Sequence, residues 1–271
     1  MASIGPTAFY TGEVWSRNGL SHPELARVEG RLLHAVTAPP MTVSRLLGGP
    51  TLEGMLLSRH KAIDTLLEDA LETGRAAQVV EVASGMSPRG WRFTERHPDL
   101  PYVEADLPEM AARKRAALER IGRPDTHRVV ELDALAADGP RSLAAVAGDL
   151  EPDRPLAIVT EGLLSYLSSD AVWSLWERFA ATLRRLGGGV YLSDLHVESD
   201  APPLVARAFS GALAAFVRSP VVVHFADAGG ARDALLAAGF DDATVELASE
   251  RPEGHGLAGA ERVRIVRATV G

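Results

Sequence analysis

Apolar positions along the chain change their period once, sharply. Between Pro23 and Leu71 they recur at helical spacing: Ile63, Leu66, Leu67, Ala70 and Leu71 follow i, i+3, i+4, i+7, i+8, and Gly74 stands where such a helix would stop. Pro39-Pro40 and Gly48-Gly49-Pro50 punctuate this region, which predicts two or three helices ahead of the first strand. From Ala77 the pattern becomes short β-branched runs separated by helical segments. Strands are predicted at Gln78–Val82, Tyr102–Ala105, Arg128–Leu132, Leu156–Thr160 and Val190–Ser193, with helices at Arg89–Arg96, Pro108–Ile121, Arg141–Val146 and Asp170–Leu186. Such alternation builds an α/β fold around a mostly parallel sheet. After Asp194, the Ala-rich stretch Pro203–Val217 is predicted to be a helix inserted after the fifth strand. A helix at Ala231–Ala238 and strands at Thr244–Leu247 and Arg262–Arg267, joined by a turn holding Gly254, Gly256 and Gly259, would close the sheet as an antiparallel hairpin.

Composition narrows the function. With 271 residues, 46% of them hydrophobic and 24% charged, the chain has the make-up of one large globular domain or a core with a cap, which excludes disordered and fibrous classes. Lys and Arg number 28 against 36 Asp and Glu, a net charge of −8, so nucleic acid and anionic membrane are poor partners. The absence of cysteine excludes disulfides, thiolate nucleophiles and Cys-ligated metals, and fits a cytoplasmic protein. No signal segment and no membrane-spanning run is expected. The eight histidines show no H-x-x-x-H or H-E-x-x-H spacing, so no metal site is expected.

The loop after the first strand, Val82-Ala83-Ser84-Gly85-Met86-Ser87-Pro88, is where an open parallel sheet binds ligands. A pyrophosphate loop would read G-x-G-x-x-G, but Ala83 takes the first glycine position and Pro88 removes a donor. Glu81 at the strand end would repel phosphate and favour a cation, which suits S-adenosylmethionine. The plainer reading is an ordinary turn with Glu81 in a structural ion pair. Asp106 follows the second strand, about 20 residues beyond Gly85, where carboxylates accept from ribose hydroxyls. Asp133 follows the third, placed to accept from an adenine amino group, with Leu132 or Ala134 as an apolar wall. Either aspartate alone would more often cap a helix. Beyond the fifth strand His196 is a candidate general base, and Tyr166 a candidate donor to substrate; a packing role is the commoner fate of such a histidine. Trp173 and Trp176 read as core, Arg113-Lys114-Arg115 as a solvated helix face, and Phe209 and Phe216 as candidate lining of an acceptor pocket.

Taken together, Val79–Gly90, Ala105-Asp106-Leu107-Pro108-Glu109, Glu131-Leu132-Asp133 and Thr160-Glu161-Gly162-Leu163-Leu164-Ser165-Tyr166-Leu167 resemble the leucine carboxyl methyltransferase family, and within it the bacterial O-methyltransferases such as the tetracenomycin polyketide enzyme. The resemblance spans about Arg59 to Asp194. It implies a class I methyltransferase (Rossmann-like) fold of seven strands with helices on both faces, a helical N-terminal cap over residues 1–76, an S-adenosylmethionine-binding core over 77–271, and a helical lid at 200–220. It also implies that Arg59 grips the cofactor carboxylate, Gly85 admits the cofactor to the backbone, Asp106 binds ribose, Asp133 binds the adenine amino group, and Glu161 lies near the methionine moiety. Ala83 departs from a glycine common in the family, a change of one methyl.

The expected function is methyl transfer to a carboxylate or phenol of a small molecule, as in secondary metabolism. Two alternatives stand beside it: a methyltransferase-fold protein without transfer activity, and an NAD-dependent oxidoreductase, which the missing glycine pattern and Glu81 disfavour. The expected partner is a small-molecule acceptor; a homodimer stays open.

Overall fold

The computed structural model describes residues 5–26, 29–32, 34–35, 49–200 and 222–271. Seven strands, β1 (Gln78–Val82), β2 (Tyr102–Asp106), β3 (His127–Glu131), β4 (Leu156–Thr160), β5 (Gly189–Leu195), β6 (Asp242–Leu247) and β7 (Arg264–Val270), form one sheet in the order β3-β2-β1-β4-β5-β7-β6. The first five are parallel, and β7 lies antiparallel between β5 and β6. Strand order reverses between β1 and β4, which opens a crevice beyond their carboxyl ends.

Helices are α1 (Gly5–Arg17), α2 (Leu52–Glu72), α3 (Arg89–Arg96), α4 (Pro108–Ile121), α5 (Leu143–Gly148), α6 (Ser169–Arg185) and α7 (Ala228–Ala237). α2 begins at Thr51, whose hydroxyl accepts the Gly54 N–H at 3.0 Å, and lays Ile63, Leu67 and Ala70 on the sheet against Val79, Ala157, Val159, Val190 and Leu192. α5, α6 and α7 cover the other face, where Val80, Val82, Ile158 and Val266 meet Val146, Trp176, Phe179 and Leu235. Each such Leu, Ile or Phe stabilises the fold by about 1.5–3 kcal/mol.

Most predicted elements match to within a few residues. α5 starts late because Ser142 caps it, its hydroxyl accepting the Ala145 N–H at 3.2 Å. β7 starts two residues late and extends to Val270, because Ala260–Arg262 is wound into a turn by the Arg262 N–H to Gly259 carbonyl bond at 3.0 Å. α1 was not marked by the apolar pattern, since Thr11 and Glu13 are buried along with Tyr10, Val14 and Trp15. Of the tryptophan pair only Trp176 is core; Trp173 is 38% exposed. The Arg113-Lys114-Arg115 reading needs correction: Lys114 is fully buried, its ammonium 2.7 Å from Glu104. The expected inserted helix and lid, with Phe209 and Phe216, lie outside the described residues. Among the described residues no helix is long and apolar enough to cross a membrane.

Candidate functional site

The loop leaving β1 is held by β2. Gly85, at φ +52°, donates its N–H to Asp106 Oδ2 at 2.6 Å, and the other Asp106 oxygen accepts the Leu107 N–H at 2.7 Å. The cap of α4 is Leu107, so Asp106 is not spent as a helix cap; it cross-links two strand ends beside the crevice. Burial pushes its carboxyl up, against the two backbone donors that favour its ionised form. Ala83 sits at φ +55°, a left-handed conformation that costs an L-residue about 1–2 kcal/mol, so the methyl that replaces glycine here is a source of strain.

Asp133 closes a local turn, Oδ1 accepting the Leu135 N–H at 2.9 Å, and caps no helix, because α5 begins at Leu143. Leu132 is 2% exposed and packed into the core, and Ala134 lies half-buried against it. The exposed apolar side chains at these strand ends are instead Leu107 and Leu135, one beside each aspartate.

Glu81 does not face a ligand crevice. It is 1% exposed, with Oε1 taking Arg89 Nη1 at 2.7 Å and Oε2 taking the Tyr102 hydroxyl at 2.7 Å. Successive strand residues alternate faces: Val80 and Val82 enter the core under α6, while Glu81 turns to the α2 and α3 side. The plainer reading of Glu81, a structural ion pair, is the one the geometry supports.

That pair belongs to a larger cluster. Arg89 also donates Nε to Asp64 Oδ1 at 2.6 Å and Nη2 to Glu161 Oε2 at 2.5 Å. His60 Nδ1 lies 2.8 Å from the same Glu161 oxygen, and Arg92 reaches Asp64 Oδ2 at 2.6 Å. Glu161 Oε1 accepts from Arg59 Nε at 3.0 Å, and Arg59 Nη1 donates to Asp194 Oδ2 at 3.1 Å. Burial pushes the Glu161 carboxyl up, but His60, Arg89 and Arg59 outweigh it and hold the group far below the usual carboxylate range. Gly162 is required twice over. Its φ is +68°, and a Cβ there would come within 2.8 Å of Arg59 Nη2, so the guanidinium lies flat against bare backbone.

A cavity of about 50 Å³ opens on the outer side of this cluster, lined by Leu56, Arg59, Gly162, Tyr166, Asp194 and His196 among others. The two candidate catalytic side chains thus share one hollow with Arg59. His196 Nδ1 lies 2.7 Å from the Arg262 carbonyl, which can only accept, so Nδ1 donates and in the neutral ring the lone pair is on Nε2. A hollow of about 370 Å³ lies at the opposite end of the sheet, between Arg75, Gly188, Asp242 and Arg267; it is larger, but it is far from the carboxyl ends of the parallel strands.

Asp64, Arg89 and Asp194 are not singled out as site residues by the sequence. The available signal was Arg59-His60 followed by Asp64 alongside the apolar stripe of α2, polar groups on a face that otherwise packs.

The match to the leucine carboxyl methyltransferase family model covers residues 26–180. The chain is 32% identical over 173 residues to a candidate S-adenosyl-L-methionine-dependent methyltransferase of Mycobacteroides abscessus, covering 64% of this chain and 52% of that one. A similarly named protein of Mycolicibacterium gilvum is 34% identical over 133 residues, 49% of this chain and 40% of its own. The chain therefore spans about half the length of the curated relatives it matches. Among solved structures, a DUF574 family protein of Streptomyces avermitilis superposes with a TM-score of 0.67 at 11% identity, over 98% of this chain and 97% of that one. A candidate methyltransferase of Thermobifida fusca gives 0.67 at 14% identity, over 96% and 93%. These likenesses carry the fold, the seven-stranded class I methyltransferase sheet with its β3-β2-β1-β4-β5-β7-β6 order. With the motifs at Gly85, Asp106, Asp133 and Glu161 falling inside the matched segment, the chain belongs to the leucine carboxyl methyltransferase family.

Proposed function

We propose that the chain binds S-adenosylmethionine at the carboxyl ends of β1, β2 and β3 and directs its methyl group to an oxygen of a small molecule, a carboxylate or a phenol. The observation that carries the reading is the Gly85–Asp106 bridge at the point where strand order reverses, inside the family's matched segment. The residues fit the group. Asp106 and Asp133 offer acceptors to hydroxyl and amino donors, Leu107 and Leu135 offer apolar surface, and Ser84 Oγ is buried in the β1 loop without a partner. The cluster behind the cavity sets four carboxylates (Asp64, Glu81, Glu161, Asp194) among three guanidinium groups (Arg59, Arg89, Arg92) and His60.

When bound, S-adenosylmethionine supplies an electrophilic methyl group. The chain's part is placement and proton handling. Tyr166 and His196 border the hollow next to Arg59, and the lone pair on His196 Nε2 can take the proton of a phenol, whose pKa near ~10 calls for a base, whereas a carboxylate nucleophile needs none. We read residues 1–76 as a cap contributing Arg59 to the site and 77–271 as the core. Small-molecule secondary metabolism in the cytoplasm is the setting that the composition and the resemblance favour.

Calorimetry on chelator-treated protein is the test, with S-adenosylmethionine and NAD compared. Tight NAD binding without S-adenosylmethionine binding overturns the reading. Label transfer from methyl-labelled cofactor to a panel of aromatic acids and phenols then separates an active enzyme from a non-methylating relative of the fold.

A further inference from the structure

Arg89 is the one arginine among the described residues that joins carboxylates from three separate parts of the fold. It opens α3 just after the β1 loop, is fully buried, and spreads its nitrogens to Asp64 on α2 (2.6 Å), Glu81 on β1 (2.7 Å) and Glu161 beyond β4 (2.5 Å). It does not border the 50 Å³ cavity. Glu161 divides its two oxygens by direction. Oε2 turns inward to Arg89 and His60, and Oε1 turns outward to Arg59. Arg59 in turn holds Asp194, whose other oxygen accepts the Gly162 N–H at 2.6 Å. A single chain of charge-assisted bonds therefore runs from β1 through Arg89 to the cavity wall, and its far end carries the residues read above as the amino-acid end of the cofactor site.

We propose that Arg89 is a positioning residue for that end of the site: by pinning the inner oxygen of Glu161 to β1 and α2, it fixes where Glu161 and Arg59 present their outer faces to the ammonium and carboxylate of a bound amino-acid moiety. The proposal rests on the reading of the site as an S-adenosylmethionine site. Arg89 meets the three carboxylates from three separate nitrogens of one rigid plane, whereas a lysine would have to meet them from a single point at the end of a flexible stem. Asp106 and Asp133 are anchored by backbone N–H groups outside this chain of bonds, which touches β2 through the Tyr102 hydroxyl on Glu81, at the other end of that strand.

The test compares two ligands on folded wild type and Arg89→Lys by calorimetry. S-adenosylhomocysteine carries the amino-acid moiety, and 5′-methylthioadenosine lacks both its ammonium and its carboxylate. A positioning role predicts about a tenfold or greater loss for S-adenosylhomocysteine, the effect of misplacing a charged hydrogen-bond partner, with methylthioadenosine affinity within about twofold of wild type. Equal losses for both ligands, or no loss for either, overturn the proposal, since a merely structural arginine would weaken the whole site or none of it. If Arg89→Lys does not fold, Glu81→Gln, which keeps Arg89 but loosens its tether to β1, gives the same ratio. Wild type that binds neither ligand overturns the S-adenosylmethionine reading, and this proposal with it.

Discussion

Two clusters of buried charge lie side by side on one face of the sheet. Glu81 on β1 and Glu104 on β2 are register partners and point the same way, and each gathers cations around it. Around Glu104, Lys114 of α4 approaches to 2.7 Å and His127 of β3 to 3.0 Å, all with side chains 0–1% exposed. α3 seals them in at Gly90, where a Cβ would fall 2.6 Å from the Glu104 carboxylate. Around Glu81 the bonds continue through Arg89 and Glu161 to Arg59, Asp194 and a cavity. Both clusters shift carboxyl groups in the same direction. Burial pushes Glu104 up and Lys114 and His127 outweigh it, just as His60 and Arg89 do for Glu161. A displaced carboxylate therefore does not by itself mark a functional site; what distinguishes the second cluster is that it reaches a hollow at the carboxyl ends of the strands.

The comparison breaks most visibly in the sealed cluster. Lys114→Met leaves Glu104 with one partner in a dry interior, and we expect a loss of about 3–5 kcal/mol in chemical denaturation with cofactor affinity of the folded protein unchanged. A variant that loses affinity while keeping its stability would place the sealed cluster in the site.

The strand-end aspartates, outside both clusters, should respond in the opposite way. Asp106→Ala removes the acceptor of the Gly85 N–H and, on the proposed reading of the site, of the ribose donors, so S-adenosylmethionine affinity should fall by about 1–3 kcal/mol while the fold survives; calorimetry reads the first and a thermal melt the second. Asp133→Ala should do the same at the adenine end. Unchanged affinity in both variants would reduce these aspartates to loop anchors.

Acid sharpens the contrast. The carboxyl groups of Asp64, Glu104 and Glu161 are all held below their ordinary values, so each contributes stability that is fully present above the unfolded carboxylate range near ~4 and is lost as pH falls from there toward the folded values. Stability measured by denaturant from pH 6 downward should be flat and then drop below about pH 4, and Glu161→Gln should make the drop shallower. Asp106 has the opposite sign. Its folded value is raised, so its ionisation opposes folding, and protonation in the acid range offsets a small part of the loss.

The smallest effect concerns the strained turn. Ala83→Gly removes a methyl held at φ +55° and should stabilise the protein by about 0.5–1 kcal/mol, the left-handed penalty less the entropy that glycine adds to the unfolded chain. A destabilised glycine variant would mean that the methyl packs favourably enough to offset its conformation.

The sequence by itself determined the alternation of strands and helices, because burial on both faces forces apolar runs at β1, β4 and β5, and amphipathic spacing marks α2 and α6. It also determined the strand-end positions of Gly85, Asp106 and Asp133, since a local motif carries them. Tertiary structure alone decided what the charged residues do. Glu81 reads in sequence as an open carboxylate at a strand end, and becomes an anchor because the pleat turns it toward Arg89 rather than the crevice. Lys114 reads as a solvated helix residue, and is buried because α4 packs over Glu104. Arg59, His60, Asp64, Arg89, Glu161 and Asp194 are drawn from α2, α3 and the ends of β4 and β5, as far apart as 135 positions for Arg59 and Asp194. No local pattern records such a meeting, because it is fixed by how the helices lie across the sheet.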